Sequence, residues 1–168
     1  LKKIFLVPKK TIVLESGKGF NAGKKTLVQG KLSKKDLELI PIINKCKVEI
    51  AALSFTQSEK DVKLLRRLVS RKTKICAKIE NHAGLKNLEK ITKAADMVVV
   101  ARGDLTAEFS QKKVPAIQKK IISIGNKLKK PVIIASYIFS SMKLKPTPSA
   151  KDIKDVEEIA KEGADMVW

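Results

Sequence analysis

The run Lys78-Ile79-Glu80-Asn81 decides both the fold and the site of this sequence. It closes a β-branched stretch that begins at Lys74 and that predicts a buried strand. Side chains at positions i and i+2 of a strand point to one face, so we expect Lys78 and Glu80 to project together from the strand end. A lysine beside a carboxylate there indicates a metal or phosphate site, although a surface ion pair at a loop start gives the same pattern.

A second apolar stretch, Met97–Ala101, also ends in charge, with Arg102-Gly103-Asp104 directly after it. If the two strands are parallel neighbours, their carboxyl ends meet at one edge of the sheet. Lys78, Glu80 and Asp104 would then lie on one rim. Carboxylate oxygens suit magnesium, which usually takes one or two protein carboxylates and leaves room for substrate.

Apolar strand-like runs alternate with amphipathic, lysine-rich segments along the rest of the chain. This alternation predicts an α/β protein built from parallel (β/α) units. A Rossmann-type sheet is the alternative, but no Gly-x-Gly-x-x-Gly turn follows any predicted strand. We expect strands at 48–55, 74–79, 97–101, 131–136 and 164–168. We expect helices at 34–45 (capped by Ser33), at 85–94 and at 114–129. A further helix should begin at 58, and the last helix should be capped by Ser149 and end at 162.

Composition sets limits on the function. The formal net charge is +19, but the lysines are scattered over predicted polar faces and aromatic residues make up only 4%. Nucleic-acid binding is therefore disfavoured as a function, because stacking aromatics are nearly absent, and a polyanion-binding protein is our least favoured hypothesis.

We find no span long enough for a membrane. Cys46 and Cys76 lie far apart, which predicts reduced thiols and a cytoplasmic location.

In these motifs and in their order the sequence resembles the pyruvate kinase family. The Lys-Ile-Glu-Asn and Ala-Arg-Gly-Asp-Leu strand ends stand at a family-like spacing, and the similarity extends from about residue 20 to 168. Further matches in family order are Lys130-Pro131-Val132-Ile133, Ser141-Met142, Lys145-Pro146-Thr147-Pro148, Asp155-Val156 and Gly163-Ala164-Asp165. The resemblance implies a partial TIM barrel of the pyruvate kinase type at 31–168, matching strands four to eight, with residues 1–30 resembling the end of the lid domain and linker.

The resemblance also implies a reaction: phosphoryl transfer from phosphoenolpyruvate to ADP, giving pyruvate and ATP in glycolysis. By the family pattern, Glu80 and Asp104 hold Mg²⁺ or Mn²⁺, and Lys78 steadies the phosphoryl group and the enolate oxygen. Ser54 lies near the phosphate, and Lys25 is a weak match to a lysine that faces the nucleotide.

The substrate carboxylate has its own implied partners. Gly103 and Asp104 match the family residues that bind it at the start of a short helix, and we expect Arg102 to brace the rim by pairing with an acid. Ser136 stands where the family has a threonine that touches this carboxylate and the proton relay. Serine keeps the hydroxyl, so the resemblance implies a catalytic role for Ser136 as well. His82 is interpreted as a structural cap.

Departures from the family pattern weaken the expectation of catalysis. Thr106 replaces a glycine, Ala83 replaces an acid, and the K⁺ ligands expected from the family are absent from this chain. We therefore expect a fragment or a reduced homologue that does not turn over alone and that self-associates or binds a full-length pyruvate kinase. The alternative is a non-catalytic structural or regulatory subunit of a pyruvate kinase oligomer.

Overall fold

The computed structural model describes residues 32–168, and residues 1–31, including the predicted lid remnant, lie outside it. Its sheet contains five parallel strands, in the order β1-β2-β3-β4-β5. Each strand therefore pairs with the next one in the chain. A doubly wound sheet reverses its strand order, so this sequential order agrees with part of a barrel and confirms the predicted parallel α/β architecture. The strands are β1 Ile50–Leu53, β2 Lys74–Ile79, β3 Met97–Ala101, β4 Val132–Ala135 and β5 Met166–Val167.

Seven α-helices occupy the described part of the chain. The longest, α6, has 14 residues, and no helix among residues 32–168 is long and apolar enough to cross a bilayer. Short 3₁₀ turns precede α6 and follow β4. The helices are α1 Lys34–Lys45, α2 Glu59–Leu68, α3 His82–Lys86, α4 Leu88–Ala94, α5 Arg102–Glu108, α6 Val114–Lys127 and α7 Ala150–Lys161, and the 3₁₀ turns are Gln111–Lys113 and Ser140–Lys143.

The register of the sheet brings its carboxyl ends to one edge. Leu53 lies opposite Ala77, Ile79 lies opposite Val100, and Ala101 lies opposite Ala135. The residues that immediately follow β1 to β4 are therefore neighbours in space. This edge is where a (β/α) protein places its chemistry.

The larger core lies between the sheet and the helices. Alternate residues of β2, Ile75, Ala77 and Ile79, are fully buried on this side. They pack with apolar residues of the helices, among them Val62 and Ile121. The opposite face of the sheet carries a second apolar cluster made of Cys76, Met97, Val99, Ile133 and Ala135. β3 is buried on both faces, which explains why it is an uninterrupted run of apolar residues, whereas β2 carries Lys74 and Lys78 at its two less buried positions.

Helix caps predicted from the sequence are present. The Ser33 hydroxyl accepts from the Asp36 amide at 3.2 Å, and the Asp36 carboxylate accepts from the Ser33 amide at 2.7 Å. Ser149 and Asp152 form the same reciprocal pair at the start of α7. Each capping box satisfies two amides that a helix would otherwise leave without partners.

Two predictions about the helices were wrong in detail. The spacing of apolar residues in 34–45 predicts a buried face made of Leu37, Ile40, Ile42 and Ile43. Leu37 and Ile42 are 46% and 55% exposed, however, whereas Ile40 is buried. The helix lies beside the short edge strand β1, so the sheet covers only a narrow stripe of it. The predicted helix at 85–94 is divided in two at Asn87, whose side-chain amide donates to the Gln57 carbonyl oxygen at 2.8 Å.

The start of α7 gives a pH-dependent prediction. Hydrogen bonds from Ser141 and Ser149 lower the pKa of Asp152 to about 2. A carboxylate whose pKa is lowered in the folded state stabilises the fold at pH values above its ordinary pKa of 3.8. This stabilisation is lost as the pH falls towards 2. Asp152→Asn should therefore lower the free energy of unfolding at neutral pH and reduce its decline in acid, as measured by urea unfolding over a pH series. The control is Glu157→Gln on the exposed face of α7; an unchanged acid profile in Asp152→Asn would contradict the assignment.

Candidate functional site

The carboxylate of Glu80 is the centre of the site. Glu80 follows β2 directly and its side chain is only 1% exposed. One oxygen lies 2.7 Å from the Lys78 ammonium, and the other accepts a hydrogen bond from the Phe55 amide. The ammonium also lies 3.4 Å from the Ser54 hydroxyl. The structure thus brings together three of the residues singled out in the sequence, Ser54, Lys78 and Glu80, at the carboxyl ends of β1 and β2.

Burial raises the pKa of Glu80 above its ordinary value. Hydrogen bonds from Lys78 and from the Phe55 amide act in the opposite direction, whereas the nearby charge of Asp104 raises the pKa further. The charge of Asp104 thus acts on the Glu80 carboxylate. A buried carboxylate with a second carboxylate beside it gains from a bound cation, because the cation offsets the repulsion and the lost hydration.

The donor set fits a divalent cation with oxygen ligands. Glu80 and Asp104 could supply two carboxylates, and no group of three His, Cys, Asp or Glu side chains with metal-site geometry occurs within residues 32–168. Mg²⁺ commonly takes one or two protein carboxylates and completes its shell with water and substrate oxygens. Each carboxylate oxygen has two acceptor positions, so the contacts of Glu80 with Lys78 and Phe55 leave capacity for a metal.

Gly103 and Ser136 meet at the ends of β3 and β4. A Cβ atom placed on Gly103 would lie 3.3 Å from the Ser136 hydroxyl oxygen and 3.9 Å from the Tyr137 hydroxyl oxygen. Gly103 therefore keeps the space in front of these hydroxyls open. Gly103 and Asp104 lie in the first turn of α5, as the sequence predicted.

Arg102 fixes this part of the edge. Its Nε donates to the Ser136 carbonyl oxygen at 2.9 Å, and its two terminal nitrogens donate to the two carboxylate oxygens of Asp155, each at 2.9 Å. The prediction that Arg102 pairs with an acid is confirmed. Because Asp155 belongs to α7, one guanidinium connects α5, the end of β4 and α7.

The prediction for His82 was wrong. The cap of α3 is Asn81, whose side-chain oxygen accepts from the Gly84 amide at 2.8 Å. The His82 Nδ1 lies 2.7 Å from the buried Glu108 carboxylate, and its ring stacks on Phe109 with centroids 4.0 Å apart. No local pattern in the sequence indicates this cluster, because His82 and Glu108 are 26 positions apart. Tyr137 was also missed, and Lys25 lies outside the described residues.

The fold and the site define an α/β protein of the (β/α) barrel class, with a lysine and two carboxylates on its carboxyl edge. The family model "Pyruvate kinase, barrel domain" matches residues 2–168, and the chain belongs to the pyruvate kinase family.

Curated relatives agree with this assignment. Pyruvate kinase of Trypanoplasma borreli is 35% identical over 166 residues, which are 99% of this chain and 33% of that protein. Pyruvate kinase of Pyrobaculum aerophilum is 31% identical over 93% of this chain and 36% of its own length. Pyruvate kinase of Mycobacterium tuberculosis is 34% identical over 92% of this chain and 33% of its own length. The chain thus spans about a third of the length of these relatives.

The contacts of Arg102 predict a measurable loss in Arg102→Lys. A lysine cannot reproduce the two parallel bonds to Asp155 while also donating to the Ser136 carbonyl. We expect the free energy of unfolding to fall by roughly 2 kcal/mol, since about two bonds to charged or carbonyl groups are removed. Urea unfolding measures the change.

The matched control is Lys93→Ala, which breaks the exposed Lys93–Glu89 pair on α4. Exposed pairs at this spacing contribute only about 0.3–0.5 kcal/mol. Equal losses in the two variants would contradict the role assigned to Arg102.

Proposed function

We propose that this chain provides the phosphoenolpyruvate-binding edge of a pyruvate kinase site, for phosphoryl transfer from phosphoenolpyruvate to ADP that yields pyruvate and ATP. One observation carries the proposal: the Lys78 ammonium, the buried Glu80 carboxylate and the Ser54 hydroxyl lie together where β1 and β2 end. Membership of the family supports it, because its members named above are pyruvate kinases.

Lys78 has the chemistry that the moving phosphoryl group requires. Its ammonium lies 2.7 Å from Glu80, and the side chain remains partly exposed to the edge of the sheet. Phosphoryl transfer depends on positioning and on cations that offset the charge of the phosphoryl oxygens. A lysine ammonium acts as a compact point charge. We therefore assign Lys78 to the phosphoryl group and to the enolate oxygen that forms when the group leaves, with the Ser54 hydroxyl beside the phosphate.

Glu80 and Asp104 would hold Mg²⁺ or Mn²⁺. The bound divalent ion supplies charge neutralisation for phosphate and carboxylate oxygens. K⁺ is the second cation expected from the family resemblance. Glu80 orients Lys78 through their contact, and the buried position of Glu80 keeps water away from that contact.

The carboxylate of the substrate is assigned to the neighbouring strand ends. Gly103 and Asp104 follow β3 and Ser136 follows β4, and the Ser136 hydroxyl lies against Gly103. This hydroxyl can donate a hydrogen bond to a carboxylate oxygen or pass a proton to the enolate carbon through a relay. Ser136 is thus both a substrate-binding and a catalytic candidate.

The proposal predicts mutual dependence of metal and substrate binding. Titration calorimetry of phosphoenolpyruvate into the 168-residue chain should show binding that strengthens when Mg²⁺ is present, because an ion held by Glu80 and Asp104 would offset the charge of the substrate. Glu80→Ala and Asp104→Ala should abolish this dependence. Lys78→Met should retain Mg²⁺ binding, since it removes a cation and no metal ligand.

Glu89→Ala is the control for removal of a carboxylate, because Glu89 lies exposed on α4. If the heat of phosphoenolpyruvate binding is the same with and without Mg²⁺, or absent in both, the metal assignment is wrong. The function of a non-catalytic subunit is then favoured.

The second candidate function is that of a non-catalytic subunit that associates with another copy or with a full-length pyruvate kinase. Its basis is apolar exposure on both edge strands of the described sheet. Ile50 of β1 is 48% exposed, and Met166 and Val167 of β5 are also exposed. Exposed edges of this kind favour pairing with another chain. Size-exclusion chromatography with light scattering tests this function, and a monodisperse monomer would exclude self-association.

We also propose a cytoplasmic location. Cys46 is exposed and Cys76 is buried, and both are free thiols. Free thiols are typical of a reducing compartment. Burial raises the pKa of Cys76 to about 11, so this thiol remains protonated at neutral pH.

A further inference from the structure

The loop that follows β4 has an unusual backbone. Ser136, Tyr137 and Phe139 have φ angles of 75°, 61° and 48°, although none of them is glycine. Such conformations cost free energy and persist only where the surrounding structure fixes them. They are most common at ligand sites, and this loop adjoins the edge already assigned to substrate.

Arg102 holds the loop in place. It donates to the Ser136 carbonyl oxygen and is itself fixed by both carboxylate oxygens of Asp155. The contact fixes the peptide between Ser136 and Tyr137, where the left-handed conformation begins. The backbone at Ser136 thus accepts a hydrogen bond from a guanidinium that is itself paired with Asp155, whereas the Tyr137 ring is exposed.

The consequence is that two consecutive hydroxyls approach one point. In extended backbone, neighbouring side chains point to opposite faces. Here the hydroxyl oxygens of Ser136 and Tyr137 lie 3.3 Å and 3.9 Å from the position that a Cβ of Gly103 would occupy. Tyr137 is 62% exposed, so the core does not explain this orientation. An exposed phenol over a glycine leaves its hydroxyl accessible to a bound molecule.

We propose that Tyr137 contacts the substrate and determines specificity, by donating its phenolic hydrogen to the carboxylate of the small phosphorylated acid bound beside Gly103. This inference rests on the proposed function of the same edge. A carboxylate accepts hydrogen bonds only, and a phenol is a suitable donor for it. Bonds to a charged acceptor are the stronger class. Phosphate is assigned to Lys78 and Ser54 at the ends of β1 and β2, whereas the Tyr137 hydroxyl lies beside Gly103, so the contact should favour acids that also bear a carboxylate over phosphate alone.

The test compares two probes, phosphoenolpyruvate and inorganic phosphate, each titrated in the presence of Mg²⁺. Tyr137→Phe keeps the ring and removes only the hydroxyl. It should weaken phosphoenolpyruvate binding by roughly tenfold, the loss expected for one hydrogen bond to a charged group, and leave phosphate binding unchanged. Ser140→Ala is the matched control, because it removes an exposed hydroxyl from the same loop.

A second measurement reports contact directly. Tyr137 is the only tyrosine of the chain, so tyrosine-selective isotope labelling gives the ring signals of a single residue in NMR spectra. These signals should shift with phosphoenolpyruvate and remain in place with phosphate. The far-ultraviolet circular dichroism spectrum of the wild-type chain shows whether the protein is folded.

The outcomes separate the two hypotheses. If the wild-type chain binds phosphoenolpyruvate with Mg²⁺ but Tyr137→Phe binds it equally well, the role of Tyr137 is wrong and the proposed function stands. Equal weakening for phosphate would also overturn the inference, because the contact would not be with a carboxylate. If the folded wild-type chain binds no phosphoenolpyruvate at all, both the proposed function and the inference fail.

Discussion

The edge of this sheet depends on one buried carboxylate. Glu80 is almost completely removed from water, and an ionised carboxylate in that position is strongly destabilising without compensation. The Lys78 ammonium and the Phe55 amide provide that compensation from two different strand ends. The requirement to satisfy one charge thus connects β1 to β2 and fixes the positions of the groups that would meet a phosphate. Because Glu80 is buried, positive charge beside its carboxylate stabilises the ionised form. A bound cation would supply such charge.

The other half of the edge depends on a guanidinium. Arg102 contacts the end of β4 and the Asp155 carboxylate of α7, so that three elements share one set of hydrogen bonds. The His82–Glu108 contact connects the turn after β2 to the end of α5, which carries Asp104 in its first turn. Functional groups need supporting contacts that hold them within a fraction of an ångström. In this chain those contacts are hydrogen bonds and ion pairs between residues of the strand ends and of the helices that follow them, and the apolar core lies beneath them.

Much of the fold was predictable from local sequence, whereas the errors involve partners that are distant in sequence. The boundaries of β2 and β3 were predicted correctly, because each is a β-branched run that ends abruptly in charge. Which residues of α1 are buried depends on how much of the helix the short edge strand β1 covers. The spacing of apolar residues along the sequence does not show this. His82 contacts Glu108, which is 26 positions away in the sequence. The position of the Tyr137 hydroxyl depends on the hydrogen bond from Arg102 to the Ser136 carbonyl, which spans 34 positions. Residue identity at the strand ends indicated which groups gather at the edge, but only the folded backbone shows how they are oriented.

The backbone also gives a physical reason for serine at position 136. The family resemblance implies threonine there, yet Ser136 has a φ angle of 75°, a region that β-branched residues avoid. Serine retains the hydroxyl that faces Gly103 and accepts this conformation at a lower cost. The left-handed backbone in turn directs the Tyr137 hydroxyl towards the same glycine. Ser136 and Tyr137 are therefore linked by one backbone conformation. Serine lacks the methyl group that threonine would have there, and the neighbouring Tyr137 adds a second hydroxyl beside Gly103.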